Sequence, residues 1–169
     1  MTRNLSFPEV EGARIAQGLD AMQVSWWAVR GELYSVRAYH GWRRVLRAFA
    51  ACFELTVWPF TAAARYFSIS CGRRRYYFSP DGSSVMAIAK DRRGWFLTDY
   101  LSAHPGHGEG WWLRQQVVPA ACAAADRRHI PIYLSPMPSR IAESCEAENP
   151  ELRRVPRRRH GLIALQRKL

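Results

Sequence analysis

A change of period near residue 102 constrains this chain more than any other feature. Before it, residues 65–70, 75–78, 84–89 and 95–102 read as strands. Cys71-Gly72-Arg73-Arg74, Pro80-Asp81-Gly82 and Asp91-Arg92-Arg93-Gly94 stand between them. Such clusters reverse a chain, because glycine takes positive φ and Asp bonds its own backbone. Turns roughly every 8–12 residues predict an antiparallel meander. After it, a glycine-rich loop over 104–110 leads into a helix over 111–128, with Leu113, Val117, Ala120, Ala121 and Ala124 on its apolar side.

The flanking segments complete the order of elements. Residues 130–134 predict a short buried strand, 139–148 a helix after Pro136 and Pro138, and 161–165 a final strand. Toward the N-terminus, Val10, Ile15, Leu19 and Met22 suggest a helix starting near Pro8, and 23–29 a strand. Residues 32–56 carry a helical apolar stripe in which Gly41 is the weak point. The expected fold is therefore α/β of the mixed α+β kind: one domain over 1–169, a mostly antiparallel sheet flanked by helices.

Charge and cysteine usage narrow the function classes. The 25 Lys and Arg against 14 Asp and Glu give a formal net charge of +11. That charge attracts anions, so phosphate-bearing cofactors, nucleic acid and acidic lipid are all candidates. Lys90 and Lys168 are the only lysines, and arginine usage alone would make a solvated cationic surface. Cys52, Cys71, Cys122 and Cys145 form no Cys-x-x-Cys pair, which argues against a zinc ribbon or a dithiol redox motif. The first twenty residues include Glu9, Glu11 and Asp20 and no apolar leader, so a cytoplasmic location with reduced thiols is expected. The most apolar stretch, 45–64, is interrupted by Arg47, Glu54 and Pro59, and no transmembrane segment is expected.

The loop itself carries the chemistry. Pro105, Gly106, His107, Gly108, Glu109 and Gly110 lie between a strand and a helix. Alternating glycines let the backbone approach a ligand, and a helix N-terminus presents unpaired N–H groups with partial positive charge. Together they suit a pyrophosphate. His104 and His107 lack a third ligand at metal spacing, so no metal site is expected.

Over residues 84–165 the chain resembles the GNAT family of acyl-CoA-dependent N-acyltransferases. The family's loop, Arg/Gln-x-x-Gly-x-Gly/Ala followed by an apolar helix residue, is matched by Gly108, Gly110 and Leu113, with Pro105 in place of the usual Arg or Gln. The resemblance implies a splayed strand pair made by 95–102 and 130–134, and acetyl-CoA as co-substrate. It implies that acetyl-CoA binds along 105–111, with Pro105, Gly106 and His107 among the cofactor-binding residues and the amides of Gly108, Glu109, Gly110 and Trp111 on the pyrophosphate. Backbone groups of Leu101, Ser102 and Ala103 would hold the pantetheine arm. Residues 1–60 do not match the family clearly.

Amine acetylation needs a proton acceptor, a polarised thioester and a donor for the departing thiolate. Asp99 is the first choice of base, with Glu109, His104 and His107 as alternatives. The tyrosine that family members carry in the last helix is missing after Tyr133, leaving Ser139, Ser144 and Cys145; Ser144 is taken as the donor. The expected acceptor is an amine-bearing small molecule, a peptide or an aminoacyl-tRNA, met on a side lined by Trp26, Trp27, Tyr34 and Trp42. Two other readings stay open: a longer-chain acyltransferase, and a non-catalytic RNA- or DNA-binding module. The second would use the cations of 153–160 and 73–75, with Tyr76, Tyr77 and Phe78 stacking on bases. A homodimer is compatible with all of them.

Overall fold

The computed structural model describes residues 6–91, 94–137, 139–155 and 163–167. Two long helices come first, preceded by a two-residue strand β1 (Arg14–Ile15). Helix α1 spans Asp20–Ala38 and α2 spans Trp42–Ser70. Asp20 starts α1: its Oδ2 accepts from the Gln17 N–H at 2.7 Å, and its charge suits the positive helix end. Gly41, at φ 61°, separates the helices as its position in the sequence suggested. They run antiparallel, tied by Arg65 Nη1 donating to Ser25 Oγ (2.8 Å), an edge-on Trp26–Trp58 contact and the Arg47–Glu32 ion pair.

Two expected strands are helical. Residues 23–29 belong to α1, where Ala21, Val24, Ser25 and Ala28 recur at helical intervals toward the protein interior. Residues 65–70 end α2. Their β-branched and aromatic content favours a strand, but Arg65 and Ile69 turn inward one helical turn apart while Tyr66 and Phe67 face out. Packing overrides intrinsic propensity here. Helix α2 also runs unbroken through Arg47, Glu54 and Pro59, and by length and composition alone it is apolar enough to cross a bilayer.

The sheet follows: β2 (Arg74–Phe78), β3 (Ser84–Asp91), β4 (Gly94–Ser102), β5 (Ile132–Met137), β6 (Arg153–Val155) and β7 (Ile163–Arg167), with α3 (Trp111–Asp126) and α4 (Ser139–Glu148) between. Strand order is β1-β2-β3-β4-β5-β7-β6. Every pairing is antiparallel except β4 with β5. Parallel neighbours need a long crossover, and α3 provides it. The expected mixed, mostly antiparallel sheet with flanking helices is present.

Two apolar layers hold the sheet. On one face Tyr77, Met86, Ile88, Trp95, Leu97 and Ile132 pack against Leu113, Val117 and Ala121 of α3 and Ala142 and Cys145 of α4. On the other, Tyr76, Phe78, Val85 and Ala87 meet Val24 and Trp27 of α1. Each fully buried large apolar side chain contributes about 1.5–3 kcal/mol. The Tyr77 hydroxyl donates to Pro8 O at 2.7 Å, which satisfies a buried polar group and ties down the N-terminal segment.

Candidate functional site

Strand β4 parts from β5 halfway along its length. The two pair at Trp95–Ile132, Phe96–Tyr133 and Leu97–Leu134, and Phe96 stacks on Tyr133 at 4.9 Å. Beyond Leu97, β4 follows β3 while β5 follows β7. A bulge sits where they separate: Ala87 pairs with Thr98 but Val85 with Leu101, so β4 carries one extra residue. Asp99 takes up the distortion at φ 49°, a left-handed conformation that Asp tolerates better than most residues. From Thr98 onward, the β4 edge facing β5 has no strand partner among the described residues.

The glycine loop lies at the mouth of this opening. Gly106 and Gly108 adopt φ of 93° and 75°, where other residues are strained. Gly110 has ordinary φ, but a Cβ there would collide with the Tyr100 phenol. It is the N-cap of α3, and no side chain caps that helix. Among the described residues, the N–H groups of Gly108, Glu109 and Gly110 have no protein acceptor. His107 N–H donates to His104 O (3.3 Å) and Trp111 N–H to Gly108 O (3.2 Å), so these two amides are engaged. Ala103 N–H likewise donates to Ser83 O (2.7 Å). The acid of the loop turns back: Glu109 Oε1 is 2.7 Å from His104 Nδ1, and Oε2 accepts from the His104 N–H at 3.3 Å. Ser84 Oγ donates to Glu109 O and fixes the loop to β3.

On the α1–α2 face, the Asp99 carboxylate is held rather than free. Its Oδ2 accepts from the Tyr76 hydroxyl (2.5 Å) and Arg74 Nη1 (3.0 Å), with Arg65 Nε at 3.8 Å. Burial first, then the Asp99 charge, pushes the Tyr76 phenol up to about 12. Beside this network a depression of about 460 Å³ is lined by Ser68, Arg73, Arg74, Asp91, Phe96 and Thr98.

Tyr100, which the sequence reading passed over, faces the α3–α4 side. Its hydroxyl accepts from Arg114 Nη1 at 3.1 Å, and burial raises its pKa against the pull of Arg114. Arg114 reaches on to Glu148 of α4 at 3.3 Å. Ser144 is half-buried on α4 and engaged within the protein, and burial pushes the neighbouring Cys145 thiol up to about 11. The side chain of Ser139 lies outside the described residues. The sequence held no signal for Tyr100, because the side it faces follows from the bulge in β4, which only the register against β3 reveals.

Other expectations separate in the same way. Tyr34 reaches the loop, where a Cβ on Gly106 would collide with its phenol; Trp27 is buried against Phe78, and Trp42 is exposed at the start of α2. Tyr76, Tyr77 and Phe78 are fully buried, so they cannot stack on bases. In the basic run, Arg153–Val155 forms β6 and Arg154 pairs with Glu146 at 2.8 Å; residues 156–160 lie outside the described residues. No group of three or more potential metal ligands occurs among the described residues.

No sequence-family model matches the chain, and no curated protein matches it. Solved structures do. The PaiA N-acetyltransferase from Thermoplasma acidophilum, solved with coenzyme A, superposes with a TM-score of 0.62 at 8% identity, covering 93% of this chain and 99% of that one. A GNAT-family acetyltransferase from Listeria monocytogenes gives 0.55 at 12% identity, covering 95% and 98%. An acetyltransferase from Streptococcus agalactiae gives 0.52 at 11%, covering 94% and 99%. The chain has the GNAT N-acetyltransferase fold.

Proposed function

We propose that this chain is an acyl-CoA-dependent N-acetyltransferase that moves an acetyl group from acetyl-CoA to an amine. The observation that carries the reading is the set of unpartnered amides at Gly108, Glu109 and Gly110, heading α3 at the mouth of the opening between β4 and β5. Three amides and a helix N-terminus bind a diphosphate without any side-chain charge. Glu109 does not oppose this charge directly, because its carboxylate is drawn back onto His104. The free edge of β4, including Leu101 and Ser102, takes the pantetheine arm as it would a further strand.

In the transfer, the amine lone pair attacks the thioester carbonyl carbon, the C–N bond forms, the C–S bond breaks and the thiolate takes a proton. Backbone N–H groups on β4 stabilise the oxyanion. Tyr100 is the proposed proton donor: its phenol stands between β4 and the head of α3, its pKa raised by burial, where the family's helical tyrosine is missing. Ser144 is the alternative on α4. Asp99 stays in the proposal as the base, acting through a water, since its Oδ2 already accepts from Tyr76 and Arg74. The acceptor enters over the depression beside Arg73 and Arg74, whose charge favours an amine that also bears an anionic group.

Thermal melting with acetyl-CoA tests the reading. A ligand at a hundred times its Kd adds about 2.7 kcal/mol. The melting temperature should rise with acetyl-CoA, and an amine panel should release free thiol. No shift with any acyl-CoA would overturn it.

A further inference from the structure

Helix α2 is apolar on two opposite sides, and only one of them is covered. Ala51, Trp58 and Arg65, seven residues apart, face α1. On the far side Leu46, Phe53, Phe60 and Phe67 also recur every seven residues, and Trp42, Phe49, Thr56 and Ala63 fill the places between them. Successive steps alternate four and three over the whole run. All eight side chains are exposed, Phe49 at 70% and Phe60 at 77%. This is the heptad seam of a supercoiled helix pair, and α1 does not occupy it.

We propose that this seam is covered by the same seam of a second copy, in an antiparallel pair of α2 helices about a two-fold axis between residues 54 and 55. The sequence is self-complementary in that register. Trp42 meets the partner's Phe67, Phe49 the partner's Phe60, Leu46 the partner's Ala63 and Phe53 the partner's Thr56. Each layer joins the two seam positions, as antiparallel packing requires, and in two layers a large side chain faces a small one. Packing to native density needs that pairing of sizes. Among the residues flanking the seam only Arg43 is charged, so no row of like charges opposes approach.

The area is sufficient. Aromatic side chains bury roughly 150–250 Å² each, and five of them here are about two-thirds exposed. With Leu46 and the flanking Val45 and Val57 they approach the roughly 800 Å² per partner of a stable interface. The groove of about 320 Å³ beside Leu19, Met22, Tyr66 and Phe67 extends the patch at one end. A bilayer, by contrast, imposes no heptad and gains nothing from Thr56 and Ala63 opposite Phe53 and Leu46.

Sedimentation of the full chain tests the proposal. The expected species has twice the 19.4 kDa chain mass. Phe49→Glu should give a monomer with an unchanged far-UV spectrum, since that side chain is solvent-exposed within one protomer. Adding Phe60→Lys to Phe49→Glu sets opposite charges across the seam twice and should restore the dimer. A wild-type chain that is monomeric at tens of micromolar overturns the proposal, and so does one that binds only vesicles of acidic phospholipid. A dimer that survives Phe49→Glu removes this surface from it, and failure of the paired charges to rescue removes the antiparallel register.

Discussion

At the residue scale, the three loop glycines are there for three different reasons. Gly106 has positive φ and lies under Tyr34, Gly110 lies under Tyr100, and Gly108 has positive φ with open space around it. Gly108 is therefore the position where charge can be changed without collision. Asn and Asp both tolerate left-handed φ and differ only in charge. Gly108→Asn should keep most of the acetyl-CoA melting shift, and Gly108→Asp should remove it; equal losses in both would point to backbone strain rather than to a phosphate site. Tyr100→Phe should lower kcat tenfold or more while leaving acetyl-CoA affinity within about twofold, and should cost about 1 kcal/mol in urea unfolding through the lost Arg114 bond. The glycine spacing was visible in the sequence. That Glu109 folds back on His104, and that Trp111 N–H is engaged, depended on the path of the loop.

At the element scale, the bulge in β4 turns a sheet into an opening. Asp99 sustains it by tolerating the left-handed backbone and by drawing Tyr76, Arg74 and Arg65 to one oxygen. Asp99→Ala removes both contributions and should lower stability by about 1–3 kcal/mol, read from the urea midpoint. Asp99→Asn keeps the backbone tolerance and an acceptor for Tyr76, and should cost less. The strands 75–78, 84–89 and 95–102 were legible because their alternation and turn residues are local signals. The bulge was not, because one extra residue breaks no pattern until β3 supplies the register. Residues 65–70 misled for the opposite reason: Tyr66 and Phe67 suit a strand, but a helix already under way and packed on α1 continues through them.

At the scale of the whole molecule, two apolar layers hold the sheet and keep some ionisable groups out of water. Tyr76 stays neutral up to about 12, whereas an unfolded tyrosine ionises near 10. Between those values the unfolded chain gives up a proton that the folded chain keeps. Stability present below pH 10 should therefore be lost as pH rises through about 12, by on the order of 2–3 kcal/mol. Urea midpoints between pH 9 and 12 would check this, with phenolate absorbance showing Tyr76 ionising after exposed tyrosines. The thiols should divide as well. Cys52 and Cys71 are exposed, while Cys122 and Cys145 are buried with raised pKa, so alkylation at pH 8 should label the exposed two first and the buried pair only as the chain unfolds.

Local physics, read along the chain, determined the meander, the glycine turn, the helix behind it and the break at Gly41, since each rests on side-chain period or on backbone conformations that few residues allow. It also held the heptad of α2 in plain letters, though nothing in one dimension says which of two apolar sides a neighbour covers. Tertiary structure decided the rest. It parted β4 from β5, left three amides without acceptors, buried the rings of Tyr76, Tyr77 and Phe78, and engaged Asp99 with two arginines. Those outcomes depend on contacts between residues far apart in sequence, whose free energy exists only once the sheet has closed around them.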